Sequence, residues 1–138
     1  MLGAGIASML IGGYRALRQH DIKLVLAYGT ISQLGLMMVL FGAGTPETTF
    51  AGCTLLIAHG IFKASLFMLV GVVDHQAHTR DLRHLDMLGR RWPLVAATGV
   101  VVVASMAGLP PLLGFIAKEE ALATLGDVES LNRVFAEA

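Results

Sequence analysis

The stretch Thr49–Val73, TFAGCTLLIAHGIFKASLFMLVGVV, is apolar apart from His59 and Lys63 near its middle. Its length meets the roughly 20 residues that a helix needs to cross a bilayer, yet lipid excludes both of these side chains. Lys63 lies about ten residues, roughly 15 Å of helix axis, from Val73. A lysine stem of about 6 Å reaches water only from near the end of a span. Inserting a lysine at mid-helix costs roughly 2.5 to 3.5 kcal/mol. Lys63 is therefore expected to face other helices or an internal file of water, with a function that offsets the cost. His59, one turn earlier, shares that helix face, and its nitrogens are expected to meet the lysine amine directly or through water. Imidazole exchanges protons near neutral pH, so the pair is a candidate proton relay. The plainer alternative is that both side chains join helices by hydrogen bonds.

Composition supports the same solvent. The 138-residue chain is 55% hydrophobic and only 14% charged, with a mean hydropathy of +0.70. A soluble domain normally has about a quarter of its residues charged, so the bilayer is the expected surrounding. Ten basic and ten acidic residues cancel, leaving no charge excess to suggest nucleic acid or an acidic substrate. Cys53, the single cysteine, has no disulfide partner and no zinc-type spacing; it is expected to be a small buried hydrophobe.

Leu24–Gly44 and Leu94–Ala117 contain no charged residue. With residues 49–73 they make three full spans, expected as helices because backbone groups in lipid must pair internally and no alternating strand pattern is present. Residues 1–13 are apolar but short, and they lack the basic start of a signal peptide. They are expected to be the end of a helix whose beginning is absent, so the chain reads as a fragment. The connection before the second segment carries Arg15, Arg18 and Lys23, and the one before the last carries Arg80, Arg83, Arg90 and Arg91; TPET, residues 45–48, has no Lys or Arg. Two basic loops separated by two spans fall on one side, which the positive-inside rule makes cytoplasmic. The expected fold is an all-α polytopic protein of the cell membrane. Its order is a partial helix 1–13, a cytoplasmic loop 14–23, helices 24–44 and 49–73, a cytoplasmic loop 74–93, a broken helix 94–122 and a polar tail 123–138.

The break is expected in SMAGLPPLLGFIAKEE, residues 105–120, where Gly108 and Gly114 flank Pro110 and Pro111. Proline removes a backbone donor and disfavours helix in the residue before it. Broken helices at membrane depth are tolerated where they line a polar cavity, a recurring device of transporters. If a helix resumes near Leu113, Lys118 lies about one turn into it. Alternatively the helix ends at Pro110 and Lys118 is a surface charge.

Four stretches, DIKLVLAYGTISQLG, AHGIFKASLFMLVG, VDHQAHTRDLRHL and SMAGLPPLLGFIAKEE, resemble in order and spacing the proton-translocating antiporter-like subunits shared by respiratory complex I and the Mrp cation/proton antiporters. The resemblance runs from about Gly12 to Leu122. Within the family, the DH…TRDLRHL loop and SMAGLPP look most like the large A subunit of the Mrp antiporter. It implies two inverted five-helix repeats, each with a broken helix, and a mid-membrane chain of buried lysines, histidines and glutamates; this sequence matches part of the second repeat. Lys63 matches the buried relay lysine, His59 its histidine neighbour, Lys118 the lysine on the broken helix, and Lys23 a motif position at the membrane edge.

Three departures bear on the relay. A second histidine often found one turn before the first is Leu55 here, the usual AYST reads AYGT with Gly29, and a serine often found before the last lysine is Ala117. Thr30, Ser32 and Gln33 remain as groups that could line a proton wire, although polar side chains also join membrane helices.

In the loop from Asp74 to Asp86, the residues Asp74, His75, His78, Asp81 and His84 offer metal ligands in number, but their spacing fits no common zinc site; neither a metal nor a cofactor is expected. Arg90 and Arg91 before Trp92 and Pro93 read as an interfacial anchor. The expected function is secondary transport rather than enzyme catalysis. Within a complex of antiporter subunits, Na+ or another monovalent cation would exchange for protons carried by Lys63, His59 and Lys118. The rival readings are a proton-pumping subunit of an NADH-quinone oxidoreductase or related redox complex, and a non-conducting structural fragment.

Overall fold

Local chemistry bounds the helices. The computed structural model describes residues 2–84 and 88–126, arranged as α1 (Leu2–Leu17), α2 (Ile22–Ala43), α3 (Pro46–Ala77), a 3-10 turn Leu82–His84, α4 (Leu88–Arg91), α5 (Pro93–Ala107) and α6 (Leu113–Gly126). Asp21 caps α2 by accepting from the Lys23 and Leu24 amides, and Thr45 forms a reciprocal capping box with Thr48 at the start of α3. Pro46 and Pro93 occupy first-turn positions, where a missing N–H costs nothing. Gly44 and Gly108 end α2 and α5 in the left-handed region at φ 75° and 88°. His78 ends α3 at φ 51°, and its N–H returns to the Asp74 carbonyl. Among the described residues, the β-type contact is an isolated bridge between Asp21 and Asp81.

Helix α1 lies against α2 at backbone distance. A Cβ on Gly35 would stand 2.5 Å from the Met9 nitrogen, and one on Gly12 would stand 2.7 Å from the Ser32 nitrogen. Small residues let membrane helices approach in this way, and the Ser32 hydroxyl adds a bond to the Met9 carbonyl at 2.8 Å. Helix α3 packs on α2, and α5 and α6 also pack on α3. Met37 and Leu40 of α2, Leu55, Ala58 and Phe62 of α3, and Ala117 and Ala121 of α6 form one apolar cluster. Leu26, Leu66 and Val70 form a second, closed by Val102 and Met106 of α5.

Large apolar side chains also cover the outside, including Leu10, Ile57, Met68, Leu94 and Val100, all at least half exposed. Among the described residues, two helices are long and apolar enough to cross a membrane, α2 with 22 residues and α3 with 32; at 1.5 Å per residue α3 measures about 48 Å. The segment 94–117, counted above as one span, is divided. Helix α5 has 15 residues, the chain leaves the helix at Gly108, passes a cis bond at Pro110–Pro111, and resumes at Leu113.

Several boundaries differ from those expected. Tyr14–Leu17 lie in α1 rather than in the loop, because polarity without Gly or Pro does not stop a helix, and Arg15 suits its negative C-terminal end. For the same reason α3 extends to Ala77 through Asp74, His75 and Gln76. Residues 123–126 belong to α6; the rest of the expected polar tail, 127–138, and Asp86 of the loop lie outside the described residues. Cys53 is exposed rather than buried, since α3 turns Leu55, Ala58 and Phe62 inward.

The α1–α2 contact yields a test. Gly35→Ala places a methyl against backbone, and overpacking of this kind costs about 1–3 kcal/mol. Thermal unfolding in detergent is expected to show that loss. Gly60→Ala, where a Cβ meets nothing within 4 Å, is expected to leave the transition unchanged or raise it.

Candidate functional site

Burial of the α3 midsection follows from the packing of α2 and α6 against it. His59 is 5% and Lys63 7% exposed, and with Thr48 they are the buried polar or charged residues among those described. No direct hydrogen bond joins His59 to Lys63 among the described residues. Lys63 instead donates its amine to the main-chain carbonyl of Leu26, across the α2–α3 interface, at 2.7 Å. The Thr30 hydroxyl donates to the same oxygen at 2.8 Å. A carbonyl oxygen has two lone pairs and is the strongest acceptor an apolar helix offers, and Gly29 keeps this side of α2 low enough for the lysine to reach it. Both ring nitrogens of His59 are buried with no hydrogen-bond partner among the described residues. Buried polar atoms are normally paired, and exceptions call for an explanation such as a catalytic role or an internal water.

Lys118 occupies the second turn of α6, at the break. It is partly exposed, its stem lies against Gly108, and its amine reaches the Ala107 carbonyl at 3.4 Å. That carbonyl is among the last of α5, where helix carbonyls lack intrahelical partners and the dipole favours a cation. An open pocket of about 490 Å³ beside it is lined by Ala107, Gly108, Phe115, Lys118, Glu119, Leu122 and Ala123. Helix α6 meets α3 and α5 at Gly114, where a Cβ would overlap the Ser105 carbonyl and touch Phe62. Lys63 and Lys118 thus lie on packed helices, each bonded to a different carbonyl.

Lys23 joins neither amine. It pairs with Asp74 at 2.7 Å, and Arg80 donates to the same carboxylate at 3.0 Å. Two backbone bonds fasten the neighbouring loops, Ile22 N–H to the Arg80 carbonyl at 3.0 Å and Leu82 N–H to the His20 carbonyl at 2.9 Å. Ser32 is committed to α1 through Met9. Gln33 is half-buried. Of the candidates, then, the fold unites Lys63 and Thr30 at the Leu26 carbonyl, buries His59 one turn before Lys63, and bonds Lys23, Ser32 and Lys118 to other partners. The Leu26 carbonyl and Asp74 were not among the expected relay partners. No sequence pattern marks a main-chain acceptor, while Lys23 and Asp74 stand at matching ends of adjacent apolar segments and could have been paired on that ground.

The family model described as NADH:quinone oxidoreductase/Mrp antiporter, TM, matches residues 1–137. The chain belongs to this family. It is 46% identical over 116 residues to the probable A/B subunit of a K+/H+ antiporter from Rhizobium meliloti (strain 1021), covering 84% of this chain and 12% of that protein. It is 41% identical over 133 residues to the A subunit of a Na+/H+ antiporter from Alkalihalophilus pseudofirmus, covering 86% of this chain and 16% of that protein. A chain in the solved structure of the Mrp complex from Dietzia sp. DQ12-45-1b matches with a TM-score of 0.81 and 47% identity, over 87% of this chain and 13% of that one. This member of the antiporter family therefore spans less than a fifth of the relatives it matches.

The loop of this family member has a pH signature. The Arg83 side chain donates to Asp81, and the Arg83 main-chain N–H donates as well; together they hold the Asp81 carboxyl well below the usual carboxylate range. A carboxyl depressed in the folded state contributes stability above its unfolded pKa, about 4, and loses it as pH falls toward the folded value. Amide protection at Ile22 and Leu82, corrected for intrinsic exchange, is expected to be steady near neutral pH and to fall below about pH 4. In Asp81→Asn that pH dependence is expected to weaken rather than vanish, because Asp74 at the same junction is also held by Lys23 and Arg80.

Proposed function

We propose that this chain is the proton-carrying part of a monovalent cation/proton antiporter subunit in the cell membrane, with Na+ as the first candidate cation. In this reading α2, α3 and the broken pair α5–α6 cross the bilayer, α1 lies beside them, and the arginine-rich loops face the cytoplasm. Lys63 and His59 exchange protons at mid-membrane, and Lys118 connects them to the pocket at the break. Lys23, held by Asp74, stands at the cytoplasmic edge. Thr30 steadies the Leu26 carbonyl, whereas Ser32 serves helix packing.

The observation that carries this reading is a lysine amine buried among membrane-length helices, bonded to a main-chain carbonyl and to no counter-charge among the described residues. A lysine serving only to join helices would be replaceable by a neutral donor. One serving as a proton carrier must be able to lose and regain its charge, and a neutral acceptor permits both states where a carboxylate would trap the ammonium. The names of the relatives, subunits of Na+/H+ and K+/H+ antiporters, and the match to the Mrp complex support exchange within a multi-subunit assembly. Each charge moved across the membrane is worth about 2.3 kcal/mol per 100 mV, so unequal proton and cation counts make such exchange voltage-driven. The family description also includes NADH:quinone oxidoreductase, which supports a second reading in which the same residues work as a redox-driven pump.

The deciding experiment uses everted vesicles with the full-length parent and its neighbouring subunits. Respiration acidifies the interior, and Na+ is then added. Rapid collapse of the pH gradient is expected, and Lys63→Ala is expected to slow it by at least about a hundredfold, the lower range for loss of an acid–base group, while assembly persists. Exchange at the parent rate in a well-assembled Lys63→Ala variant would overturn the role of Lys63. Indifference of the parent to Na+ and K+, with donor-driven pumping, would favour the redox reading.

A further inference from the structure

The proposed exchange rests on the Lys63 amine, and Gly29, beside that amine on α2, has no side chain. A Cβ built on Gly29 would meet the Lys63 Nζ at 3.4 Å; outside its own chain neighbours and helix backbone, it would meet nothing else within 4 Å. The amine is held by the Leu26 carbonyl at 2.7 Å, and the same oxygen takes the Thr30 hydroxyl. An ammonium has three donors, and the protein bond to Leu26 uses one. Gly29 therefore borders a space, about one small side chain in size, that opens directly on the amine.

We propose that Gly29 is a positioning residue for proton exchange at Lys63: its bare α-carbon leaves the place where a water reaches the amine, and the Leu26 carbonyl holds the amine against that place. This deepens the antiporter reading and rests on it. The chemistry separates this role from simple packing. Threonine and valine have nearly the same shape, and a hydroxyl of one replaces a methyl of the other. A hydroxyl both donates and accepts, so it can take over from the displaced water, whereas a methyl can do neither. If Gly29 only made room for the lysine stem, the two substitutions would act alike.

The test compares Gly29→Val with Gly29→Thr in the full-length parent, assembled with its subunits in everted vesicles, with exchange measured over a Na+ series and normalised to assembled complex. Gly29→Val is expected to lower the maximal rate at least about tenfold while the apparent KM for Na+ stays within about twofold, because the cation is not bound at this amine. Gly29→Thr is expected to keep at least about a third of the parent rate. Should the valine variant fail to assemble, Gly29→Ala and Gly29→Ser, again differing by one hydroxyl, make the same comparison with serine expected to be faster. Equal rates within either pair, or a parent rate in Gly29→Val, overturn the inference. Lys63→Ala is run in parallel: persistence of its exchange would sink the antiporter role of Lys63 itself, whereas its loss beside a parent-like Gly29→Val would overturn only the role of Gly29.

Discussion

A lysine amine more than one side-chain length from water must find its hydrogen-bond partner inside the protein, and the arrangement of α2 on α3 meets that demand at the Leu26 carbonyl. The bond sits between two apolar clusters. Leu26 belongs to the one shared with Leu66 and Val70, and Phe62, next to Lys63 in sequence, belongs to the one shared with Met37, Leu40 and Ala117. Sliding α3 along α2 by one residue would carry the amine away from its acceptor and misalign both clusters at once. Apolar packing and the polar contact therefore specify the same register, the agreement between levels that a uniquely folded helix bundle requires.

Three lysines show how surroundings decide chemistry. Lys23 is 39% exposed and meets a carboxylate, Asp74, a pairing that fastens the end of α2 to the end of α3. Lys63, in the interior, meets a neutral carbonyl from mid-helix. Lys118 meets a carbonyl at a helix end, where the α5 dipole adds a fixed partial negative charge. A carboxylate beside Lys63 would have trapped the charged form, and the fold puts the acidic partner Asp74 at the rim instead.

The division of α5 from α6 provides what a straight helix could not. Inside a continuous helix a carbonyl is shared between a main-chain N–H and any side-chain donor, whereas the last carbonyls of a helix have no intrahelical partner. Ending α5 at Gly108 frees carbonyls beside Lys118, and the return of the chain brings Gly114 against Ser105 and Phe62, where even a methyl would collide. The break thus opens one end for a pocket and closes the other onto the helix that carries Lys63.

The all-helical, apolar character of the chain was legible in its hydropathy, and the polar exceptions Lys63 and His59 stood out because lipid makes any ionisable group conspicuous. Pro110–Pro111 marked the interruption of the last helix because proline acts on its own neighbours. The helix ends at Leu17 and Ala77 were not legible, since polarity marks where a helix meets water and not where it stops. Lys63 bonds a carbonyl 37 residues away, and Lys23 found Asp74 at a separation of 51. By itself the sequence determined what depends on neighbours along the chain, namely helices, breaks and the presence of misfit side chains. Only the tertiary structure decided which of those side chains meet which acceptors, because a main-chain carbonyl has no signature of its own and becomes a partner only where packing brings it close.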